Sequence, residues 1–344
     1  MSRARVLLLV LAAALGACSG ESPNPFADII QTFAPSSASS IVFTSNGYTQ
    51  VPGAPRELFS IETSGAGLTR LTFCNVDPRR CDTAEASSAP DRQRMAVLRV
   101  LDDTDGDGRL TEADGQALLV TDLSRSVDGP LFPQSQHVDG VDWSRTGDVL
   151  VYSGIGEGNV DDLFRVDPNG ENNRNLTNSP DVRERRPRID PTGSVAVYER
   201  IEADGKGRIF VFQSTTTQVP VTTGGPGTET LAGTPYMVGS DADPDYSPDG
   251  RSIVFRRLTG TGNGGLGSWD VLTVRSDGTE QAVVATGPAY RGAPDWGTEG
   301  IVYNEVDPIA GTSDLVVVQP DGSGRRTLLS IPAVLVITNP RWLP

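Results

Sequence analysis

Short apolar runs alternate with turn residues along most of the chain. One set of runs, each preceded by a Gly- or Asp-containing turn, comprises Val149–Tyr152, Val195–Tyr198, Ile253–Phe255 and Ile301–Tyr303. A second set, which follows the first, comprises Asp162–Asp167, Arg208–Phe212, Asp270–Val274 and Asp314–Val318. Brief runs rich in β-branched and aromatic residues between turn signals are typical of strands. The pattern therefore predicts an all-β chain.

The strand pattern also repeats. A Pro-x-aromatic pattern, in full or degraded form, places its third residue at Trp143, Ile189, Tyr246, Trp296 and Trp342. The spacing is roughly fifty residues, with four short strands per unit, which is typical of β-propeller blades. Edge strands such as Arg174–Thr177 would complete each unit.

The two ends of the repeat predict how the ring closes. The first unit contains Ser40–Ser45, Glu57–Glu62 and Leu68–Phe73, but no opening Pro-x-aromatic strand. Pro340–Trp342 carries that pattern with no further strands after it. We therefore expect a six-bladed β-propeller in which the C-terminal strand completes the first blade and removes its free edge.

The segment PDYSPDGRSIVF, which begins at Pro244, resembles the blade motif of the TolB-like propeller family. The resemblance implies a six-bladed propeller over residues 37–344. This motif is specific for the fold and not for a function. TolB itself has an additional N-terminal domain for which we expect no room here, so its role is not transferred.

The N-terminal segment has the layout of an export signal. Arg3 and Arg5 precede the apolar run Val6–Leu15, which is too short to span a bilayer, since a spanning helix needs about 20 residues. We interpret residues 1–17 as a signal peptide.

Leu15–Cys18 resembles the bacterial lipobox, which implies that Cys18 is acylated and becomes the mature N-terminus. An ordinary signal peptide with an incidental cysteine is the alternative. Ser19 resembles the outer-membrane sorting pattern. Residues 18–36 are rich in Ser, Pro and Ala and are predicted to form a flexible tether. The expected location is the cell envelope, on the outer membrane facing the periplasm or the cell surface.

Two further cysteines, Cys74 and Cys81, lie close together in the sequence. In an oxidising exported compartment such a pair predicts a disulfide. A metal site is the alternative, although it would have little support from the single histidine in the chain.

The segment DTDGDGRLTEAD has the residue types of a calcium loop at the required spacing. Gly108 stands at the sharp turn, and calcium prefers oxygen ligands of this kind. The candidate ligands are Asp103, Asp105, Asp107, the Arg109 carbonyl, Thr111 and Asp114. Strand-like sequences flank the loop, so we expect one structural calcium ion in a hairpin connection rather than a sensor. A solvated acidic turn is the alternative.

Charge argues against nucleic acid as a partner. Asp and Glu total 44 against 29 Lys and Arg, which gives a formal net charge of −15. Phosphate backbones favour clustered cations. We interpret the acidity mainly as a contribution to solubility, and an acidic docking surface is the alternative.

Blade connections differ between the two faces of the predicted ring. Connections after the first and third strands are tight turns, and we call that side the tight-turn face. Connections after the second and fourth strands are longer, and we call that side the long-loop face; they include 45–56, 74–81, 103–114, 133–140, 178–186, 224–243, 258–269 and 287–292. Binding residues concentrate on loops held by a rigid scaffold.

The long-loop face is thus the predicted binding face. Its candidates are His137, Arg183, Arg185, Arg186, Tyr236, Asp241, Asp243, Tyr290 and Arg291. For each of them the alternative is an ordinary solvated loop residue. We expect a protein or an envelope polymer as partner, with membrane contact only through the lipid.

An enzymatic role has weaker support in the sequence. His137 is the only histidine, and Gly-x-Ser-x-Gly is absent, so a Ser-His-Asp triad is not predicted. We expect no catalytic residues. The alternative function is a metal-dependent hydrolase or lactonase that uses carboxylates at the central channel, such as Asp241 and Asp243.

Overall fold

The computed structural model describes residues 39–72, 81–122, 127–134 and 138–344. The predicted signal peptide, the tether, Cys18, Cys74 and His137 lie outside these residues. Within them the chain forms strands joined by turns and loops, with three short 3-10 turns at Glu112–Asp114, Glu157–Asn159 and Asn263–Gly265. None of the described helical turns has the length and apolar character needed to cross a membrane.

The strands of the first three blades are short and regular. They are β1 (Ser40–Ser45), β2 (Glu57–Glu62), β3 (Thr69–Arg70), β4 (Asp82–Ser88), β5 (Arg94–Val100), β6 (Ala117–Asp122), β7 (Val127–Phe132), β8 (Val138–Trp143), β9 (Leu150–Ile155), β10 (Asp161–Val166) and β11 (Arg174–Asn175).

The remaining strands complete three more blades and the closure. They are β12 (Arg183–Ile189), β13 (Ala196–Ile201), β14 (Gly207–Ser214), β15 (Thr217–Pro220), β16 (Asp241–Tyr246), β17 (Ser252–Gly260), β18 (Ser268–Arg275), β19 (Ala282–Ala285), β20 (Tyr290–Gly297), β21 (Gly300–Asp307), β22 (Thr312–Val318), β23 (Arg326–Pro332) and β24 (Ile337–Trp342).

These strands form six antiparallel four-stranded sheets, the blades of a β-propeller. Blade 1 has the order β24-β1-β2-β3, and blades 2 to 6 each use four consecutive strands, starting with β4, β8, β12, β16 and β20. β24 pairs with β1, with Ile41 opposite Trp342 and Ser45 opposite Ile337. The predicted fold class and the closure of the first blade by the C-terminal strand are both confirmed.

The hydrophobic core lies between neighbouring blades. Phe43 and Phe59 of blade 1, for example, stack at 5.7 Å and pack with Val302 and Leu315 of blade 6. Each blade buries its apolar residues against the next blade, which explains why the runs in the sequence are apolar on both faces.

Two details of the strand prediction differ from the structure. The outermost strands predicted over Leu68–Phe73 and Arg174–Thr177 contain only Thr69–Arg70 and Arg174–Asn175. The inner strand β4 was not predicted, because its sequence DTAEASS lacks apolar alternation. That strand faces the axis, where a polar environment replaces the core.

Every innermost strand contains a β-bulge. Register shifts fall within β4, β8, β12, β16, β20 and at β24. In five of them a residue with positive φ stands just before the Pro position of the repeat: Gly140, Arg186, Asp243, Ala293 and Asn339. A bulge bends a strand and redirects its side chains, here at the position where the strand runs beside the axis.

Candidate functional site

The middle residue of the repeated motif connects neighbouring blades at the axis. Asp142 accepts the Ile189 N–H at 2.8 Å, Asp245 accepts the Trp296 N–H at 2.7 Å, and Asp295 accepts the Trp342 N–H at 2.8 Å. In blade 2 the hydroxyl of Ser87 plays the same part by accepting the Trp143 N–H at 3.0 Å. Each acceptor thus holds the backbone of the next blade.

In blades 4 and 1 the middle residue is an arginine, which cannot accept such a bond. Arg188 and Arg341 instead reach to one carboxylate oxygen of Glu85, at 3.0 Å and 2.5 Å. Glu85 is buried on β4, and both arginines are buried as well. Glu85 is thus shared by two arginines, and Arg341 also lies 3.1 Å from Asp295 Oδ1. Ion pairs between different blades therefore fill part of the axial channel.

Three carboxyl groups lie together at the tight-turn end of the channel. Burial raises the pKa of Asp142, Asp245 and Asp295, and the mutual repulsion of these carboxylates adds to the shift for each of the last two. For Asp245 the pKa rises to about 7. The three line a cavity of about 160 Å³ together with Trp143, Tyr246, Trp296 and Trp342.

These three residues were not among the sites predicted from the sequence. The signal was nevertheless present, because each is the middle residue of the Pro-x-aromatic pattern that defines the repeat. That pattern served only to count the blades, and its polar position is the one that faces the axis.

A second charged network fills the channel toward the long-loop face. Arg186 Nη2 lies 3.0 Å from Asp139 Oδ1, and Arg186 Nε lies 3.2 Å from Asp243 Oδ1. Arg256 Nε lies 2.6 Å from Asp243 Oδ2. Although burial alone would raise the pKa of Asp243, Arg256 and Arg186 lower it to about 2. Arg185 pairs with Asp139.

Aromatic rings surround Arg256 in this network. Its guanidinium carbon lies 3.9 Å from the ring centroid of Trp269, 5.5 Å from that of Tyr290 and 5.9 Å from that of Tyr236. Tyr236 also donates its hydroxyl to Glu199 Oε2 at 3.2 Å. The structure thus brings Arg185, Arg186, Tyr236, Asp243 and Tyr290 together, through contacts that are internal to the protein.

The remaining predicted binding residues do not join this network. Asp241 is fully buried and pairs with Arg257 at 2.5 Å. Arg291 pairs with Glu305 at 2.7 Å and donates to the carbonyls of Trp269 and Thr286, which holds a loop in place. Arg183 is exposed at the start of β12. His137 falls outside the described residues.

The predicted calcium loop connects β5 to β6, so strands flank it as expected. The carboxylates of Asp103, Asp105 and Asp114 offer oxygens within 4.8 Å of one another. Asp114 accepts the N–H groups of Thr111 at 2.9 Å and Thr104 at 2.7 Å, and these bonds lower its pKa, with Thr111 contributing most.

The other predicted ligands of the loop stand close in sequence but outside that carboxylate group. Asp107 caps the loop by accepting the Arg109 N–H at 2.8 Å, and the Thr111 hydroxyl lies 3.5 Å from Asp114 Oδ2. Gln134 anchors the base of the loop, since its Oε1 accepts the N–H groups of Leu101 and Asp102. These residues could complete an oxygen-rich cation site.

Most large apolar side chains that remain exposed lie on the long-loop face. They are Val51, Leu101, Ile155, Leu266, Ile309 and Val334. The other exposed ones, Val219 and Val283, lie on outermost strands at the rim. Among the described residues, the turns of the opposite face contribute none to this group.

Three of these residues lie on loops that contact one another at the junction of blades 6 and 1. Ile309, Val334 and Val51 are 85%, 67% and 55% exposed. The Ala333 N–H donates to the Gly311 carbonyl at 2.9 Å, and the Val336 N–H donates to Asn46 Oδ1 at 2.8 Å. We call Val51, Ile309 and Val334 the junction patch.

Of the predicted disulfide, only one partner falls within the described residues. Cys81 is disulfide-bonded and directly precedes β4. Its pairing with Cys74 stays a prediction.

Comparison with known proteins finds solved structures that share this fold. No family model matches the sequence, and no curated protein matches it either. TolB from Acinetobacter baumannii superposes with a TM-score of 0.65 at 14% identity, over 89% of this chain and 67% of that one. The putative TolB from Agrobacterium tumefaciens gives 0.58 at 15% identity, over 90% of this chain and 100% of that one.

A propeller from a nidogen/laminin complex is also similar, with a TM-score of 0.61 at 8% identity over 89% of this chain and 98% of that one. Such low identities establish a shared fold and leave function to the residues of each chain. The predicted resemblance to TolB-like six-bladed propellers is confirmed at the level of the fold.

Proposed function

We propose that this chain is a binding module of the cell envelope that docks a protein partner through its long-loop face. The observation that supports this most strongly is the concentration of exposed apolar side chains on that face, with the junction patch as its most exposed part. Exposed apolar patches commonly mark protein interaction sites, and the loops that carry these three residues contact one another.

Buried ion pairs between the blades support the proposal that the ring acts as a scaffold for the loops. Arg186, Arg188 and Arg341 cross the channel to carboxylates of other blades and are buried or largely buried. Arg188 and Arg341 connect blades 4 and 1 to Glu85 of blade 2, and Arg186 connects blade 4 to the neighbouring blades 3 and 5. The ring is thus a rigid platform, and the residues free to meet a partner are on the loops.

Attachment to a membrane is part of the proposal and rests on the sequence. The lipobox-like segment ending at Cys18 would supply a lipid anchor, and several acyl chains on one protein give a durable attachment. The propeller would then lie on the outer membrane, facing the periplasm or the cell surface. An envelope polymer is the other class of partner for the same face.

We also propose that the loop between β5 and β6 holds one structural calcium ion. The convergence of Asp103, Asp105 and Asp114 supports it, as does the spacing of Asp107, Arg109 and Thr111. A bound cation would offset the repulsion among these carboxylates and order the insertion. The proposed role is local, because strands and not mobile helices flank the loop.

We propose no catalytic activity. The alternative of a hydrolase that uses channel carboxylates has one observation in its favour, which is the raised pKa of Asp142, Asp245 and Asp295 around a small cavity. Asp241 and Asp243, the carboxylates that the sequence suggests for this role, form ion pairs with Arg257 and Arg256. Turnover of a lactone by the purified protein that Asp245→Asn abolishes would establish the alternative instead.

The docking proposal can be tested by crosslinking in cells followed by mass spectrometry. The variant Val51→Ser/Ile309→Ser/Val334→Ser should lose its specific crosslinked partner, because it removes three exposed apolar side chains, each of which would bury apolar surface in the complex at about 25 cal/mol per Å². Val283→Ser, at a residue 53% exposed on the rim strand β19, is the matched control and should retain it.

Two results would contradict the proposal. One is an unchanged set of crosslinks in the triple variant when its melting temperature equals that of the wild type. The other is an equal loss in Val283→Ser, which would show that general surface polarity and not the junction patch determines binding.

A further inference from the structure

A cavity of about 420 Å³ lies between blades 3 and 4 on the tight-turn face. The outermost strand of blade 3, β11, contains only Arg174–Asn175, whereas β14 and β15 form a longer hairpin in blade 4. The short strand leaves the groove between the two blades open at that point. Small-molecule sites commonly enclose roughly 300–1,000 Å³, so the cavity is large enough for one.

The walls of this cavity are mainly apolar. Blade 3 contributes residues of β9 and the segment after β11, and blade 4 contributes the turn before β13 and the end of β14. The apolar lining residues are Val149, Val151, Leu176, Ile189, Val195, Ala196 and Phe212. The polar residues Asn175, Ser194, Gln213, Ser214 and Thr215 also line the cavity. Against the apolar part of the wall, water finds few hydrogen-bond partners, which favours its replacement by an apolar group.

Two arginines give the cavity a charged side. Arg165 on β10 and Arg174 on β11 are direct cross-strand partners and both line the cavity. Directly opposed residues on antiparallel strands project from the same face, and like charges at such positions destabilise the pairing. The protein thus keeps two positive charges side by side at an apolar surface.

These arginines differ from the paired arginines of the channel. Within the part of the chain that the structure describes, the side chain of neither Arg165 nor Arg174 forms an ion pair or a hydrogen bond. Arg165 makes only a minor contribution to the lowered pKa of exposed Asp148, which is due chiefly to a hydrogen bond from Thr146. In a chain of net charge −15, two cations without a carboxylate partner are available for an external anion.

We propose that this cavity binds a small amphipathic carboxylate. The carboxylate would be held by the guanidinium groups of Arg165 and Arg174, since planar guanidinium groups match carboxylate oxygens in geometry and charge. The hydrocarbon part would lie against Val149, Ile189 and Phe212. The site is on the opposite face from the junction patch, so it is independent of the proposed docking function.

Octanoate is a suitable probe, with two controls: octylammonium, which has the same tail but a positive charge, and acetate, which has the carboxylate but no tail. Octanoate should raise the melting temperature of the purified protein and bind in calorimetry at least tenfold more tightly than either control. In the variant Arg165→Gln/Arg174→Gln the dissociation constant for octanoate should rise at least tenfold. Arg251→Gln, on an exposed turn of the same face, should bind like the wild type.

A measurement without ligand separates binding from folding. Because the two arginines oppose each other as like charges, the ligand-free double variant should melt at the same temperature as the wild type or higher. Equal binding of octanoate and octylammonium, or of octanoate and acetate, would overturn the proposal, as would full octanoate affinity in the double variant.

Discussion

Asp245, the middle residue of one Pro-x-aromatic pattern, has two structural roles. Its carboxylate accepts the Trp296 N–H of the next blade, and it lies beside Asp142 and Asp295 at the end of the channel. The first role favours any acceptor at this position, which explains why Ser87 can replace an aspartate. The second role places acidic groups where burial raises their pKa.

The raised pKa of Asp245 predicts how stability depends on pH. Its pKa rises from 3.8 to about 7 on folding, because burial disfavours the charged form, so the folded state retains a proton that the unfolded state releases. The free energy of unfolding should therefore fall as pH rises from about 4 to about 7. Asp245→Asn keeps an acceptor oxygen for Trp296 and should recover a few kcal/mol at pH 7, since each unit of pKa shift corresponds to about 1.4 kcal/mol.

Urea unfolding of the wild type and the variant at pH 4 and pH 7 measures this effect. Asp181→Asn, at an exposed aspartate, is the control and should follow the wild type. If Asp245→Asn loses as much stability between the two pH values as the wild type does, the assigned protonation is wrong.

At the scale of elements, the sequence predicted the strands that have continuous apolar runs. It missed a strand whose residues face the axis of the ring. The strands around the loop 101–116 were predicted because their apolar runs are continuous. β4 was missed, since its small polar residues suit a strand only where it faces the axis, and its sequence carries no Pro-x-aromatic pattern that would mark its axial residues. The same reason hid the role of Glu85, whereas Arg188 stands at the middle position of that pattern.

The loop between β5 and β6 gives the prediction at this scale. Calcium should slow amide hydrogen exchange over 101–116, because the cation would join Asp103, Asp105 and Asp114 and reduce local opening. The rest of the propeller should exchange as before. Asp103→Asn/Asp105→Asn should remove the effect, and Asp321→Asn in another exposed turn should not.

Protection over 101–116 that stays the same at millimolar calcium would contradict the calcium proposal. Slower exchange in all blades would also contradict it, since that result would assign the ion a global role.

For the whole molecule, the closing strand β24 determines whether blade 1 is complete and the ring closes. It supplies Arg341 to Glu85 and Asp295, and it places Trp342 opposite Ile41. It is also the only strand of blade 1 that comes from the far end of the described chain. Blades 2 to 6 can each form from consecutive strands, whereas blade 1 requires contacts between residues about as distant as the chain allows.

Deleting 340–344 should therefore destabilise the propeller by more than about 4 kcal/mol, because it leaves Glu85 with one fewer buried partner and exposes the edge of β1. Thermal unfolding measures the effect. Val334→Ser, in the loop just before β24, is the control and should unfold near the wild-type temperature. A truncated protein with an unchanged melting temperature would contradict the closure.

The position of β24 also sets a delay during protein synthesis. Thr44 on β1 bonds Thr338 on β24 across 294 residues, and chains grow at about 5–20 residues per second. Roughly 15–60 s therefore pass between the synthesis of β1 and that of β24, the innermost strand of the same blade. Throughout that interval the inner edge of β1 has no partner strand from its own chain, and unpaired strand edges favour pairing with other chains. We therefore expect the nascent chain to be most prone to aggregation before its last residues are made.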